Sequence, residues 1–403
     1  MKDVQIANIF CKHGRPNNDL VQSYFQVTAG DIVRNLRDKT VPCGKEFLND
    51  PDAAAELSES AAKGYNSVRK IRLQAFFWGQ DLIWKIGRWR SEQLQRFLNE
   101  YSPDLIFQPI YYSKHLNDLA QYCAKITGAP MVGYVSDDVY TFRRFSLSPL
   151  YWIDLCLTRP HVKKTLDLCR WVYVISDIQK TEYEAIFRKE CKILTKSADF
   201  SCEPELVPPR HDPFVFSFTG NIGGGRWKSL SYLAKAIQKL NAETPYRAKL
   251  DIYTATPVTK RMKRALDLPG ASAILGKISA AQVQDVQKNS DALVHAEGLD
   301  LKNKLAVHQS FSTKLVDYFR NCRCIFAIGT EDMASISHLI KNNAAVVAAS
   351  REDVYPKLLA MMQSDTIAAE KVRNAWNCGK KYHNKENALN MLEQDFELLC
   401  KYR

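Results

Sequence analysis

The sequence predicts an α/β protein built from two Rossmann-like, doubly wound parallel-sheet domains that face each other across a cleft. Three observations lead there. Short apolar runs alternate with longer stretches of helical period in both halves of the chain. A proline-rich break separates the halves. The length, 403 residues, is too great for one ordinary domain and fits two.

In the first half the apolar runs expected as strands are 4–10, 105–109, 131–134, 172–175 and 192–194. In the second they are 214–219, 249–253, 273–275, 292–295, 324–328 and 345–348. Helices fill the intervals, as where Leu230, Leu233, Ile237 and Leu240 recur on one helical face. The break, 201–213 (SCEPELVPPRHDP), carries four prolines in thirteen residues, which discourages both helix and central strand. The expected division is therefore 1–200, a linker at 201–213, and 214–403, with a terminal helix over 385–402. Ligands of such sheets bind beyond the carboxyl ends of the strands, so the chemistry is expected there.

Composition narrows the classes. A hydrophobic share of 46% and a charged share of 25% are those of a globular protein. No uncharged apolar run reaches the roughly 18 residues that a membrane-spanning helix needs. The opening MKDVQIANIF ends its apolar part at Lys12-His13 and lacks a signal-peptide layout, so a cytoplasmic protein is expected. The eleven cysteines form no CxxC pair, and buried free thiols in a reducing compartment fit them best. No Cys/His grouping has ligand spacing in sequence, so no zinc site is expected. The net charge of +12 suits nucleic acid, an anionic membrane or an acidic small substrate. Nucleic acid is disfavoured, because the basic residues are dispersed and no nucleic-acid motif appears.

Three segments of the second half carry chemistry. In FVFSFTGNIGGGRWKSLSYLAKAI a strand ends at Thr219-Gly220, a glycine loop follows, and a helix begins near Lys228. Glycines allow close backbone approach, Arg226 and Lys228 add positive charge, and a helix start favours an anion. The loop is neither a Walker P-loop nor a GxGxxG fingerprint. The second segment, GKISAAQVQDVQKNSDALVHAEG, places Lys277 and Ile278 at a turn before an amphipathic helix and a strand. The third, QSFSTKLVDYFRNCRCIFAIG, runs from a polar loop through a short helix into a buried strand. Ser312 or Thr313 is its expected N-cap, and Lys314 and Asp317 lie on the helix.

The first half offers weaker signals. The loop CKHGRP contains His13 and Gly14, and GYVSDDVY ends a strand on Asp137 and Asp138. A carboxylate there could orient a hydroxyl or accept its proton, or it could cap a turn. His115 is a further candidate for facing the cleft. Over 70–98, Trp78, Leu82, Ile86 and Trp89 form an apolar stripe, with Arg72, Lys85, Arg88, Arg90 and Arg96 interspersed. Such a helix suits an anionic membrane interface, and the alternative is a helix packed on the domain core.

Taken in order, the three segments of the second half resemble the donor domain of GT-B glycosyltransferases of the retaining, nucleotide-sugar-dependent type (glycosyltransferase family 4-like, group 1). That family carries Glu, a small residue, Phe and Gly, with a second Glu eight positions after the first. Here Gln309-Ser310-Phe311-Ser312 and Asp317 keep the spacing and alter both acids. The resemblance implies a GT-B fold and transfer of a sugar from a nucleoside diphosphate, often UDP, to a glycan or lipid-linked acceptor. The expected setting is bacterial surface polysaccharide synthesis at the inner face of the cell membrane, with residues 70–98 as the membrane contact. No metal or other cofactor is expected in the site, because cationic side chains and helix dipoles stabilise the leaving diphosphate.

By the same resemblance Arg226, Lys228 and Lys314 hold the diphosphate beside Gly220, Ser312 and Thr313. Asp317 binds the ribose, Lys277 and Ile278 frame the nucleobase, and Gln309 contacts the transferred sugar. His13, Gly14 and Asp137 stand on the acceptor side, with Asp138 serving catalysis. An amide at 309 supplies no negative charge to a developing oxocarbenium ion. Glu297 and Asp300 lie upstream as carboxylates whose spacing fits less well. Two other readings remain: a non-catalytic GT-B subunit that binds a partner glycosyltransferase or a glycan, and a nucleotide-sugar epimerase.

Overall fold

A computed structural model of the chain describes residues 4–14, 16, 18–49, 74–201 and 211–401. The chain condenses into two compact units, one of 1–135, 146–173 and 393–403 and the other of 136–145 and 174–392. Most of the expected linker, 202–210, lies outside the described residues.

The first unit begins with β1 (Ala7–Phe10), β2 (Ser23–Gln26), α1 (Ala29–Arg37) and β3 (Lys45–Leu48). These strands form a three-stranded sheet in which β3 runs antiparallel to β2. Neither β2 nor β3 is among the expected strands. SYFQ is too short to display alternation, and KEFL leaves three of its four residues exposed. There follow α2 (Gln74–Ile86), α3 (Glu92–Tyr101), β4 (Ile106–Pro109), α4 (Lys114–Thr127), β5 (Met131–Val135), α5 (Pro149–Leu168) and β6 (Cys169–Val174). β4 pairs parallel with β5, and β6 lies on the other side of β5.

The basic aromatic stretch is two helices rather than one. The first helix ends at Ile86, and Gly87 packs against α1, where an added Cβ would lie 2.1 Å from Cγ2 of Ile32. Trp84 and Trp89 are buried with Phe25, Ile32, Leu94 and Phe97 in the core. Trp78 donates its Nε1–H to Asp154 at 3.0 Å. Of the expected stripe only Leu82 and Ile86 stay exposed. Arg72 lies outside the described residues. Among the described residues no helix is long and apolar enough to cross a membrane.

The second unit opens with α6 (Asp177–Phe187) and β7 (Cys191–Ile193). Its main sheet alternates strictly: β8 (Phe214–Thr219), α7 (Arg226–Glu243), β9 (Ala248–Tyr253), α8 (Lys260–Leu266), β10 (Ser272–Gly276), α9 (Ala280–Lys288) and β11 (Ala292–Ala296). Then come α10 (Leu301–Val307), α11 (Lys314–Arg320), β12 (Cys324–Ile328), α12 (Ala334–Lys341), β13 (Val346–Ala348), α13 (Val354–Gln363), α14 (Asp365–Tyr382) and α15 (Lys385–Cys400).

The six strands lie in the order β10-β9-β8-β11-β12-β13, all parallel. The order reverses between β8 and β11, and a ligand crevice forms at such a switch point. The sheet is anchored by fully buried Phe216, Phe218 and Phe326, and by Leu230, Leu233, Ile237 and Leu240 on the inner face of α7. The α/β class with parallel sheets is the expected one.

Phe216 sits at the middle of β8 with its ring 4.9 Å from that of Phe214 and 6.0 Å from that of Phe326. Phe216→Ala is expected to destabilise the second unit by about 3–5 kcal/mol, the range for a large buried aromatic. A urea titration that left the unfolding midpoint unchanged would contradict this placement of the core.

Candidate anion-binding site at the switch point

The loop after β8 is shaped by glycine. Gly220, Gly224 and Gly225 have φ of +139°, +60° and +78°. A Cβ on Gly225 would lie 2.6 Å from Nδ2 of Asn303, so the loop presses against α10. The first amides of α7 do not point free: those of Arg226, Trp227 and Lys228 donate to the carbonyls of Gly223, Ile222 and Gly225. The attraction for an anion rests on side chains here.

Those side chains converge on one cavity of about 290 Å³. From the β8 side come Gly220, Asn221 and Arg226, from the end of β11 comes Glu297, and from the 309–313 loop and α11 come Ser310, Phe311, Ser312, Thr313 and Lys314. Arg226 donates from Nε to Oε2 of Glu297 at 2.9 Å, and its Nη2 lies 2.9 Å from the same oxygen. Lys314 donates from Nζ to the carbonyl of Thr219 at 3.1 Å and lies 4.4 Å above the ring of Phe218. A Cβ on Gly220 would come within 2.9 Å of that ammonium, so glycine at 220 makes its seat.

The cavity thus holds two cations and one buried carboxylate, an arrangement that favours an incoming anion. Burial lowers Lys314 to about 8, Arg226 adds to the fall and Glu297 opposes it. The residue as a whole is partly exposed, because its stem borders the cavity while the ammonium is sunk against β8. Burial pushes the Glu297 carboxyl up against the pull of Arg226 and Lys314. His295, on β11, is fully enclosed and pushed down to about 3 by burial and by those two cations, so it is neutral. Its Nε2 lies 3.6 Å from Oε1 of Glu297.

Of the residues expected in the site, the cavity gathers Gly220, Arg226, Ser312, Thr313 and Lys314. Thr313 is the N-cap of α11 without a side-chain cap bond, and the amide of Ser312 donates to Oγ of Ser335 at 2.9 Å. Gln309 is not in the lining. Its Nε2 donates to Oε2 of Glu182 at 2.5 Å, its carbonyl accepts from Ser176, and its Oε1 has no partner among the described residues. Glu182 also holds Nη1 of Arg143 at 2.6 Å and Nε2 of His308 at 2.9 Å.

The other expected residues have partners elsewhere. Asp317 is clasped by Nζ of Lys196, 2.7 Å from each oxygen. Asp138 caps its own turn, accepting from the amides of Tyr140 and Thr141. Asp137 accepts from Oγ of Ser310 at 3.0 Å, at the edge of the loop. Lys228 is half exposed and lies 3.9 Å from Asp300. Lys277 is exposed and Ile278 half-buried after β10. His13 and Gly14 belong to the first unit, where the carbonyls of Lys12 and Gly14 accept from Nε2 of Gln26. His115, also in that unit, stacks on Trp84 at 4.6 Å.

Glu297 is the carboxylate that spacing ranked below Gln309. Its signal in the sequence is its place directly after a buried strand, where the backbone delivers side chains to the switch point.

No protein-family model matches this sequence, and no curated protein matches it significantly. Solved structures do. The chain is similar to sucrose-phosphate synthase from Thermosynechococcus elongatus at 10% identity and a TM-score of 0.57, over 77% of each chain. It is similar to HepE from Anabaena in complex with UDP at 11% identity and a TM-score of 0.56, over 78% of this chain and 84% of that one. The likeness to TarM, at 11% identity and a TM-score of 0.55, covers 75% of this chain and 57% of TarM. The fold is the GT-B fold.

Because Lys314 is lowered to about 8 in the folded chain, folding disfavours its proton between that pH and about 10.5, its ordinary value. The unfolded chain binds more protons there, so the penalty for burying Lys314 is relieved as pH rises through that window. The stability difference between Lys314→Met and wild type is expected to shift toward wild type from pH 8 upward. A pH-independent difference in denaturation midpoints would contradict the buried ammonium.

Proposed function

We propose that the chain is a glycosyltransferase that takes a sugar from a nucleoside diphosphate sugar, UDP foremost. It passes the sugar, with retained anomeric configuration, to a hydroxyl of a glycan or lipid-linked acceptor in bacterial surface polysaccharide synthesis. The observation that carries this reading is the cavity at the β8–β11 switch point, where Arg226 pairs with the buried Glu297 and Lys314 lines the same space. HepE, a structural neighbour, is described in complexes with UDP and with UDP-glucose.

In this reading the diphosphate lies between Arg226 and Lys314. As the bond from the anomeric carbon to the phosphate oxygen breaks, negative charge grows on that phosphate, and two fixed cations stabilise it without reorganisation. The site then needs no metal or other cofactor. Retention follows from a same-face reaction: the acceptor hydroxyl attacks the side that the phosphate leaves, and the departing phosphate oxygen takes its proton. Asp138 supports that route indirectly, because its carboxylate is occupied in its own turn. Glu297 is the carboxylate nearest the charge that develops on the sugar, while Gln309 shapes the loop through Glu182. Asp317 reaches a ribose by exchanging Lys196 for its hydroxyls. Lys228, half exposed at the start of α7, adds to the diphosphate field.

A peripheral contact with an anionic membrane at the cytoplasmic face belongs to the same proposal. It rests on the exposed Leu82 and Ile86 with the neighbouring cations Lys85 and Arg88.

Calorimetric titration with UDP, GDP, ADP and CMP is expected to give selective binding of a nucleoside diphosphate. Arg226→Ala is expected to weaken it by about 10–100-fold, the value of a charge-assisted bond of roughly 1.5–3 kcal/mol. Absence of nucleotide binding by wild type would overturn the reading. Binding without release of UDP from a UDP-sugar plus acceptor would convert it to that of a non-catalytic subunit. Sedimentation with anionic vesicles is expected to fall in a Leu82→Glu, Ile86→Glu variant, and unchanged sedimentation would remove the membrane contact.

A further inference from the structure

The sequence shows no Cys/His grouping at ligand spacing, yet the fold makes one. His338 comes from α12, Cys378 from the last turn of α14, and His383 is the residue that caps α14. Forty residues separate the first two in sequence, which is why no motif reveals them. Nε2 of His338 lies 3.1 Å from Sγ of Cys378 and 3.2 Å from Nε2 of His383. The three atoms lie within 4.8 Å of one another.

We propose that His338, Cys378 and His383 bind a divalent transition-metal cation, zinc in the first place, as three ligands of a tetrahedral site with its fourth position open. Bonds of about 2.0–2.1 Å to nitrogen and about 2.3 Å to sulfur put tetrahedral ligands roughly 3.3–3.6 Å apart, close to the observed separations.

The hydrogen bonding around the trio turns its donor atoms toward one point. Nδ1 of His383 lies 3.3 Å from the carbonyl of Lys196 and must donate to it, so the lone pair of its Nε2 faces the cluster. If His338 carries its proton on Nε2, that proton lies between Nε2 of His383 and the sulfur of Cys378, both of which accept. If it does not, the thiol donates to it and two imidazole lone pairs confront each other at 3.2 Å. A cation accepts all three lone pairs together. Loading releases one proton, as the thiol becomes a metal-bound thiolate and both imidazoles stay neutral.

Access and surroundings fit the same role. Cys378 and His383 are 3% and 2% exposed, which shields the thiolate from competing chemistry. His338 and His383 line a second cavity, of about 220 Å³, through which a metal and a water or anionic fourth ligand can enter. Lys341 and Lys381 border that cavity and favour an anion there, beside Asp177.

The site is distinct from the cavity at the switch point but touches its wall. Phe311 stacks on His383 at 5.1 Å and meets His338 edge-on at 5.2 Å, and it lines both cavities. A metal that fixes the two imidazoles therefore fixes Phe311, and the loop of Ser310, Ser312 and Thr313 with it.

The test uses the full chain stripped with a chelator and titrated with Co2+ and Zn2+. One Co2+ per chain is expected, with tetrahedral d–d bands and a near-ultraviolet thiolate-to-cobalt charge-transfer band that Zn2+ displaces. Cys378→Ser is expected to remove the charge-transfer band, and His338→Asn to weaken Zn2+ binding by more than the roughly 10–100-fold typical of a lost outer-shell partner. Circular dichroism and the Tm of the stripped variants confirm that each still folds. Wild type that takes up no stoichiometric Co2+ overturns the proposal. So does a charge-transfer band that survives in Cys378→Ser, since another of the cysteines would then be the ligand. These readouts are independent of nucleotide binding.

Discussion

The second unit depends on one electrostatic constraint: a buried carboxylate that must be kept company. Glu297 leaves β11 into a nearly dry environment, and an unpaired charge there would be prohibitive. Arg226 satisfies it with two nitrogens on one oxygen. That requirement fixes the start of α7 against the end of β11, and hence the glycine loop between β8 and α7. Gly225, held at positive φ against Asn303 and Gly298, is the steric counterpart of the same closure. Lys314 then arrives from α11 as a second cation with no carboxylate of its own, resting on a main-chain carbonyl and an aromatic face.

The charge balance of the cavity rests on side chains. A helix start alone attracts anions weakly, and here the first amides of α7 are already taken by the loop. What remains is a guanidinium with planar, directional donors and an ammonium with a point charge, both lining the same crevice.

Much of this was legible in the sequence, and the exceptions share a cause. Local signals worked: the β8–glycine–α7 run, the inner face of α7 through Leu230, Leu233, Ile237 and Leu240, and the strand over 324–328 all stand where the pattern puts them. What the sequence leaves unread is the partner of a side chain that lies far away along the chain. Gln309 turns to Glu182, Asp317 to Lys196 and His338 to His383, each across 45 or more residues. Periodicity carries no information about such choices. In the basic aromatic stretch the limit is of a different kind. Its spacing is helical, but the helix ends at Ile86, Gly87 lies close against Ile32 and Trp89 is buried. Spacing alone cannot reveal a packing collision with α1.

Phe311 has a consequence of its own. One ring serves as the common wall of two cavities, with the crevice of Arg226 and Lys314 on one side and the imidazole pair on the other. Whatever occupies either space alters the free energy of the ring's position, and thermodynamic linkage makes that influence mutual. If a tenant on the histidine side tightens binding in the crevice by some factor, a tenant in the crevice must tighten the other by the same factor. A partition shared in this way turns two separate binding events into a single reciprocal equilibrium.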